Sequence, residues 1–535
     1  MSALRRLATA AASVLLACAA GAAPAGTEEA AVRGVPQHLD LRPLYAGADL
    51  IWLDPAGRPT SNARAALALL ADAASDGLDP AVYRAASLAS RADGLAGASP
   101  DVRRAWDAEL SRAMLRFLRD LHFGRVDPKA LGFRVSAPRT ETHDIAAMLA
   151  AAVANRRVAQ LRDELAPPLL QYRELRDALA RYRRLAPSWP AASLGVPKAS
   201  IRAGEPYADI AALRERLVLQ GDLQGGTPQA DASRYDALLA AGVARFQARH
   251  GLAADGVLGK ATVAALNVPV KDRLSQIELG LERLRWLPHP DGRRIVAINI
   301  PMFRLWAWDD AAAGARPVLA MDVIVGRALK TQTPVFADQM RYLVFRPYWN
   351  VPRSITRNET LPAIARNPNY LAKNDMEIVQ GENDAAHVLP ATPESMAMLQ
   401  DGRARVRQRP GPTNSLGLVK FIFPNDDNIY LHSTPATSLF ERSRRDFSHG
   451  CVRIADPVGL AAWLLKDQPQ WTREQIAAAM QGKPNLRVNL TQAVPVLLYY
   501  VTAMVSPEDG RLQFAADIYG HDAKLARALA ALRDE

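Results

Sequence analysis

The stretch Ser448-His449-Gly450-Cys451-Val452-Arg453 holds one of the two cysteines of the chain, and His432 lies 19 residues before that cysteine. A thiol set beside Arg453 and His449, with Gly450 freeing the backbone, is in a locally cationic setting of the kind that lowers a thiol pKa and makes a nucleophile. In Ile429-Tyr430-Leu431-His432, read as a strand, Tyr430 and His432 project to one side, where a loop returning through Ser448 to Cys451 can meet them. These are parts for acyl transfer. Cys451 is the candidate nucleophile, and His432 the base that takes its proton and later returns one to a leaving amine. Backbone N–H groups around Gly450 are the candidate oxyanion hole, with the Tyr430 hydroxyl as an added donor. No carboxylate is evident as an orienter for His432; a backbone carbonyl near Ser433 could serve. The quieter readings are an inert buried thiol, a satisfied strand histidine and a packing tyrosine.

The elements that must position these residues are strands. Arg294 to Ile300, Phe303 to Trp308, Leu319 to Val325 and Tyr342 to Phe345 are short runs rich in Ile, Val, Phe and Trp, separated by Pro, Gly and Asp clusters. Strands resume at Val406, at Leu418 to Phe423 and at Ile429 to His432. Between them, residues 352–404 carry helix and turn signals with no strand series. An insertion of that length in a β domain is read as a cap over the site. Trp349, in Pro347-Tyr348-Trp349-Asn350-Val351-Pro352, either floors a substrate groove or packs in the core. Asp456-Pro457 caps a helix, and Thr472 with Gln475 forms a capping box for another. The tail from Val496 reads as a β-hairpin and a terminal helix.

Earlier in the chain the grammar is helical. Leu110, Met114, Phe117, Leu118 and Leu121 make one apolar stripe. Asp76-Gly77-Leu78-Asp79-Pro80 marks a turn, and His122 with Asp127 is read as a helix-ending turn, because no third ligand for a metal lies nearby. Prolines 187, 190, 197 and 206 predict a linker. After it, Ile210/Leu213/Leu217, Leu239/Val243/Phe246 and Val263/Leu266 predict three short helices.

At 535 residues the chain suggests about three domains of roughly 100–200 residues each. Arg5-Arg6, the apolar run from Leu7 to Ala20 and the small residues after it read as an export signal, too short for a dependable membrane span. Two processing outcomes stay open: lipidation at Cys18 in Leu15-Leu16-Ala17-Cys18, or cleavage near Ala23 or Ala25. Either leaves Cys451 without an intramolecular disulfide partner in an oxidising compartment, which favours a reactive role. The net charge of +11 suits a polyanionic cell-wall or membrane surface, and the export signal argues against nucleic acid.

Two stretches resemble known families. Arg245-Phe246-Gln247-Ala248-Arg249-His250-Gly251-Leu252, Asp255-Gly256-Val257-Leu258-Gly259 and Thr262 to Leu266 resemble the peptidoglycan-binding type-1 domain, which implies a module docking on the sacculus through residues 205–267, or, on the plainer reading, a helical spacer. His432-Ser433-Thr434-Pro435, followed by Ser448-His449-Gly450-Cys451-Val452-Arg453, resembles the L,D-transpeptidase catalytic domain. Pro410-Gly411-Pro412, Asn414, Leu416-Gly417 and Lys420-Phe421 match it as well. The order of parts is similar to the large periplasmic members. The resemblance implies an α+β multidomain chain: leader 1–25, helical scaffold 26–186, linker 187–204, three-helix peptidoglycan-binding domain 205–270, β-rich catalytic domain 271–490 with a cap at 352–404, and hairpin and helix 491–535.

It also implies an activity. Cys451 attacks the carbonyl of the diaminopimelate to D-Ala bond of a tetrapeptide stem, and the thioester is resolved by a diaminopimelate amine of a neighbouring stem, giving a 3→3 cross-link. Carbapenem acylation of Cys451 is a further expectation. His449 lines the site in the family, and Ser433 is carried with it as a substrate contact. Arg453 and Asn414 are candidates for holding substrate carboxylates or the loop. No metal or cofactor is implied; stem peptides are the partners, with other wall synthases as further candidates. Two rivals stand beside this: an L,D-carboxypeptidase or wall-detaching hydrolase with water as acceptor, and a wall-binding scaffold without catalysis.

Overall fold

The longest helix, Pro100–Phe123, starts where the Ser99 hydroxyl accepts the Val102 N–H and Pro100 occupies the first turn, a position whose N–H has no helical partner to lose. Its stripe Leu110, Met114, Phe117, Leu118 and Leu121 is fully buried, in a core shared with Trp52, Leu70 and Leu149. The computed structural model in which this is seen describes residues 40–532, apart from residue 48 and segments 136–143, 226–232, 289–291, 311–314, 329–330 and 382–385. The expected leader 1–25 and Cys18 lie outside the described residues. Within the described residues no helix is long and apolar enough to cross a membrane.

The first core ends at Leu165. Helix Leu170–Leu185, grouped by sequence with the scaffold 26–186, gives Tyr172, Leu175 and Leu179 to the core of the C-terminal half and packs on helix Val270–Leu284. Periodicity shows that a stripe exists; it does not show which partner the stripe meets. The two turns noted in the sequence seat this helix pair. Glu282, fully buried, accepts the N–H groups of Arg125 and Val126 at 2.5 and 3.3 Å and the Arg285 guanidinium at 2.9 Å. Arg285 also donates to the Asp76 carbonyl at 2.5 Å. The two guanidiniums outweigh burial and hold the Glu282 carboxyl below its ordinary range. His122 turns Nδ1 to the Leu165 carbonyl at 2.8 Å, and Asp127 caps the turn Pro128–Leu131 by accepting Lys129 N–H.

Helices Ile210–Gln220, Ala237–Ala248 and Lys260–Leu266 form a small bundle around Leu213, Leu217, Leu239, Val243, Phe246 and Leu266. The stretch 187–204, expected as a linker, is packed on it. Leu194 is in the bundle core, the Asn267 amide bonds both its N–H and its carbonyl, and Ile201 pairs with Leu258. Four prolines break helix but do not prevent an extended chain from docking.

The C-terminal half is a ring of strands: β1 (Ile295–Asn299), β2 (Arg304–Trp308), β3 (Leu319–Gly326), β4 (Phe336–Phe345), β9 (Val419–Ile422), β10 (Leu431–His432), β12 (Val452–Ile454) and β13 (Leu486–Tyr499). They pair in the order β3-β12-β10-β9-β4-β13-β1-β2, and β2 returns to β3, closing the sheet; β11 (Asp446–Ser448) adds to β3 in parallel. Closure leaves no long free edge. Residue 491, expected to open a separate tail, lies inside β13, between β4 and β1. The separate hairpin is only β14 (Ala503–Val505) with β15 (Leu512–Phe514), whose Phe514 N–H bonds the Arg249 carbonyl of the small bundle at 2.8 Å.

The insertion differs from expectation too. It contains β6 (Met376–Gln380) and β7 (His387–Leu389), which join β5 (Trp349–Asn350) and β8 (Arg405–Gln408) in a four-stranded sheet of order β5-β8-β6-β7. Ile378, Val406, Leu371 and Leu399 give it its own small core. Val406, expected in the main sheet, belongs to this one. Strands three to five residues long give too little alternation to stand out among helix and turn signals.

Candidate active site

β10 and β12 are parallel neighbours with Leu431 opposite Val452 and His432 opposite Arg453, and the Val452 N–H bonds the Tyr430 carbonyl at 3.2 Å. Opposed residues share a face and faces alternate along a strand. Tyr430, His432, Cys451 and Arg453 are therefore presented together, and all four line a cleft of about 880 Å³ between the ring and the cap. Trp349 lines it as well.

The loop carrying Cys451 is held by short hydrogen bonds. Gly450 has φ 116°, a region costly for any residue with a Cβ. Its carbonyl accepts from the buried Thr333 hydroxyl at 2.7 Å, and that hydroxyl in turn accepts the Gly326 N–H at 2.8 Å. The Ser448 hydroxyl donates to the Cys451 carbonyl at 2.5 Å and accepts the Gly450 N–H at 3.2 Å. Thr331 donates to the Ser448 carbonyl at 3.1 Å. Gly326 sits so close that a Cβ would fall 1.9 Å from the Thr331 carbonyl oxygen. Tyr519, from the far C-terminus, donates to the Gly326 carbonyl at 2.6 Å and accepts the Thr333 N–H at 3.2 Å.

His432 is buried, and its Nδ1 lies 2.6 Å from the Ser433 carbonyl, a pure acceptor. That contact fixes the proton on Nδ1 and leaves Nε2 as the basic nitrogen. Burial, with the Arg453 charge beside it, lowers the His432 pKa to about 3, so the ring is neutral at pH 7. The Cys451 thiol is partly exposed and donates to the Asn428 carbonyl at 3.6 Å. Burial raises its pKa above the ordinary thiol value, against the lowering effects of the Tyr430 main-chain and hydroxyl groups and of Arg453. This corrects the expectation of a thiol acidified by local cations: neighbouring charge can be counted in a sequence, but desolvation cannot, and here it is larger. The resting pair is a neutral thiol and a neutral imidazole. Among the described residues the thiol bonds the Asn428 carbonyl and meets Tyr430, the imidazole bonds the Ser433 carbonyl, and no hydrogen bond joins thiol to imidazole.

Three other expected site residues are engaged elsewhere. The Gly450 N–H is taken by Ser448, so in this arrangement it is not a free oxyanion donor. The Ser433 hydroxyl accepts Leu418 N–H at 2.7 Å and donates to Leu416 O at 3.3 Å, bracing the turn into β9 away from the cleft. Asn414 is fully buried: its Nδ2 donates to the carbonyls of Pro347 and Arg409 at 3.2 and 2.9 Å, and its Oδ1 accepts Leu416 N–H at 2.8 Å. It holds the loop and leaves no polar group for a substrate carboxylate. The Tyr430 hydroxyl faces the Cys451 sulfur, and its pKa is pushed well up by burial and by that neighbour.

Arg453 is different. Its Nε is buried with no hydrogen-bond partner among the described residues, and the nearby Arg327 guanidinium, also lining the cleft, lowers its pKa together with burial. Two cations converge there with one unmet donor, an arrangement that an anion such as a carboxylate would satisfy. His449 pairs through Nε2 with Glu359 Oε1 of the cap at 2.8 Å. Arg327, Thr333, Glu359, Asn428 and Tyr519 were absent from the sequence expectations. Apart from Asn428, 23 residues before Cys451, their sequence distances to the loop are long, and no local spacing could have found them.

Three family models match the chain: "Scaffold domain" over residues 40–179, "Putative peptidoglycan binding domain" over 206–266 and "L,D-transpeptidase catalytic domain" over 293–476. A protein of Haemophilus influenzae described as "Putative L,D-transpeptidase" is 32% identical over 250 residues, 47% of this chain and 48% of that protein. The chain thus spans about half the length of the curated relative it matches.

Proposed function

We propose, for a chain that carries an L,D-transpeptidase catalytic domain behind a peptidoglycan-binding domain, that it joins peptidoglycan stem peptides by 3→3 cross-links outside the cytoplasmic membrane. The observation that carries the reading is the parallel register of β10 and β12, which gathers Tyr430, His432, Cys451 and Arg453 on one wall of the cleft. In the first half-reaction the donor carboxylate sits at Arg453 and Arg327. His432 Nε2 takes the thiol proton as sulfur attacks the carbonyl carbon of the diaminopimelate to D-Ala bond. A neutral thiol that ionises only during attack needs an unprotonated acceptor for its proton, and His432, with its own proton held on Nδ1 by the Ser433 carbonyl, offers Nε2. The Tyr430 hydroxyl and the Cys451 N–H are the donors assigned to the oxyanion, since the Gly450 N–H is occupied. His432 then gives its proton to the departing D-Ala amine, leaving a thioester on Cys451. A diaminopimelate amine of a second stem resolves it.

The test is to incubate the protein with diaminopimelate tetrapeptide muropeptides and identify the products by mass. Dimers joined 3→3 that disappear in Cys451→Ala support the proposal. Tripeptide monomers alone would make the enzyme a hydrolase, and unchanged substrate would leave only a wall-binding role.

A further inference from the structure

One charged group of the cleft has no part in the first half-reaction. Glu359 comes from the cap, on the widened π-helical turn Thr356–Thr360, and turns of this kind recur at functional sites. Thr356 and Thr360 are buried anchors, whereas the Glu359 side chain is half exposed and lines the cleft across from the sheet that carries Cys451. Its Oε1 meets His449 Nε2, two residues before Cys451, at 2.8 Å. A carboxylate only accepts, so this bond places a proton on His449 Nε2 and leaves Nδ1 as the nitrogen turned away from Glu359. His432 has the opposite tautomer, held by the Ser433 carbonyl. The cleft is therefore polarised: Arg453 and Arg327 on the sheet side, a carboxylate with an oriented imidazole on the cap side.

We propose that Glu359 and His449 form the acceptor subsite, binding the incoming primary ammonium and taking its first proton, so that the acyl-enzyme is resolved by an amine in preference to water. This rests on the cross-linking reading above. An amine arrives protonated at neutral pH and cannot attack until it loses a proton. The Glu359 carboxylate pairs with the ammonium, and one proton passes to His449 Nδ1 and from there to solvent at the open cleft. The nitrogen lone pair forms the new bond to the thioester carbon, the carbon–sulfur bond breaks, and its electron pair returns to Cys451. The second nitrogen-bound proton passes through His432 to that sulfur. Ammonium and thioester thus give amide, thiol and one released proton. Water carries no positive charge and forms no ion pair with Glu359, so the carboxylate draws the ammonium into the subsite ahead of water.

The experiment uses the full chain, a diaminopimelate tetrapeptide muropeptide as donor and a diaminopimelate tripeptide muropeptide as acceptor. Glu359→Gln keeps the shape of the pair and removes its charge. Single-turnover D-Ala release should stay within about twofold of the parent. The ratio of 3→3 dimer to hydrolysed tripeptide should fall about 10- to 100-fold, with a raised KM for acceptor alone, as loss of a charge-assisted contact implies. Glu359→Asp should restore part of the ratio. An unchanged ratio overturns the proposal, as does a parallel fall in D-Ala release and transfer. Faster D-Ala release at constant ratio would make the contact a cap latch instead. Failure of the parent protein to form any Cys451 acyl-enzyme would defeat the underlying reading, a result distinct from all of these.

Discussion

Replacing Thr333 with valine isolates what the loop-holding hydrogen bonds do for Cys451. Valine keeps the shape of threonine, so the change deletes the bond to the Gly450 carbonyl (2.7 Å) and the bond from the Gly326 N–H (2.8 Å) with little repacking. Thr333 is 1% exposed and Gly450 is buried, so water does not readily replace either partner. Leaving a buried donor and a buried acceptor unpaired costs about 1–3 kcal/mol each, or roughly 2–6 kcal/mol together. Gly450 escapes that cost by moving, and Cys451 is the next residue. The gap favouring the ordered loop therefore shrinks by at least ~2 kcal/mol, a factor of about 30. Amide hydrogen exchange over residues 446–453 should speed up by about that factor, while helix Pro100–Phe123 exchanges as before. Acylation of Cys451 should slow at least about tenfold, and Thr333→Ser should recover most of both. Unchanged loop exchange and unchanged acylation in Thr333→Val would refute the reasoning.

Other outcomes follow from the same geometry. Tyr430→Phe removes the hydroxyl that faces the Cys451 sulfur and should slow acylation by about 10²-fold or more while thermal stability is retained; a normal rate would leave Tyr430 as packing. Because burial raises the Cys451 pKa, alkylation by iodoacetamide should climb steeply only above the pH at which an ordinary thiol ionises, with no reactive plateau near pH 6; such a plateau would indicate a standing thiolate–imidazolium pair. Stability should fall in acid. His250 and His432 are buried with pKa values depressed by burial, that of His432 to about 3, so below about pH 6.5 the unfolded chain binds protons the folded one refuses. Each costs up to ~1.4 kcal/mol per pH unit as pH drops from about 6.5 toward the folded value, and the contribution is fully present above 6.5. Thermal melts across pH 4–8 check this, and a flat profile would contradict it.

Much of the fold could be read from residue patterns because the signals are local. The buried stripe of helix Pro100–Phe123 and the three stripes of the small bundle are periodicities, and the strand runs from β1 to β4 are short stretches of apolar, β-branched and aromatic residues, each visible within a dozen residues. The candidate motif was legible because it too is local, as alternation puts Tyr430 and His432 on one side. What escaped depends on partners far away in sequence. β13 pairs with β4 through a register shift between Asn489 and Val494, and Pro495 sits among its paired residues, so its 14 residues do not read as one central strand. Asn414 and Ser433 belong to the motif region, yet their polar atoms are turned to backbone groups. Only the traced hydrogen bonds separate such residues from those that face the cleft. The direction of the Cys451 thiol shift depends on burial, which no spacing records.

The central claim is that Cys451 carries the acyl group of a stem peptide. Intact-mass and peptide-mapping measurements on the protein quenched during turnover with a diaminopimelate tetrapeptide test it most directly. The account predicts an adduct equal to the donor less D-Ala, mapped to the peptide containing Cys451, absent in Cys451→Ala and discharged on addition of an acceptor amine. Cross-linked product formed without any adduct on Cys451, or an adduct on another residue, would contradict it.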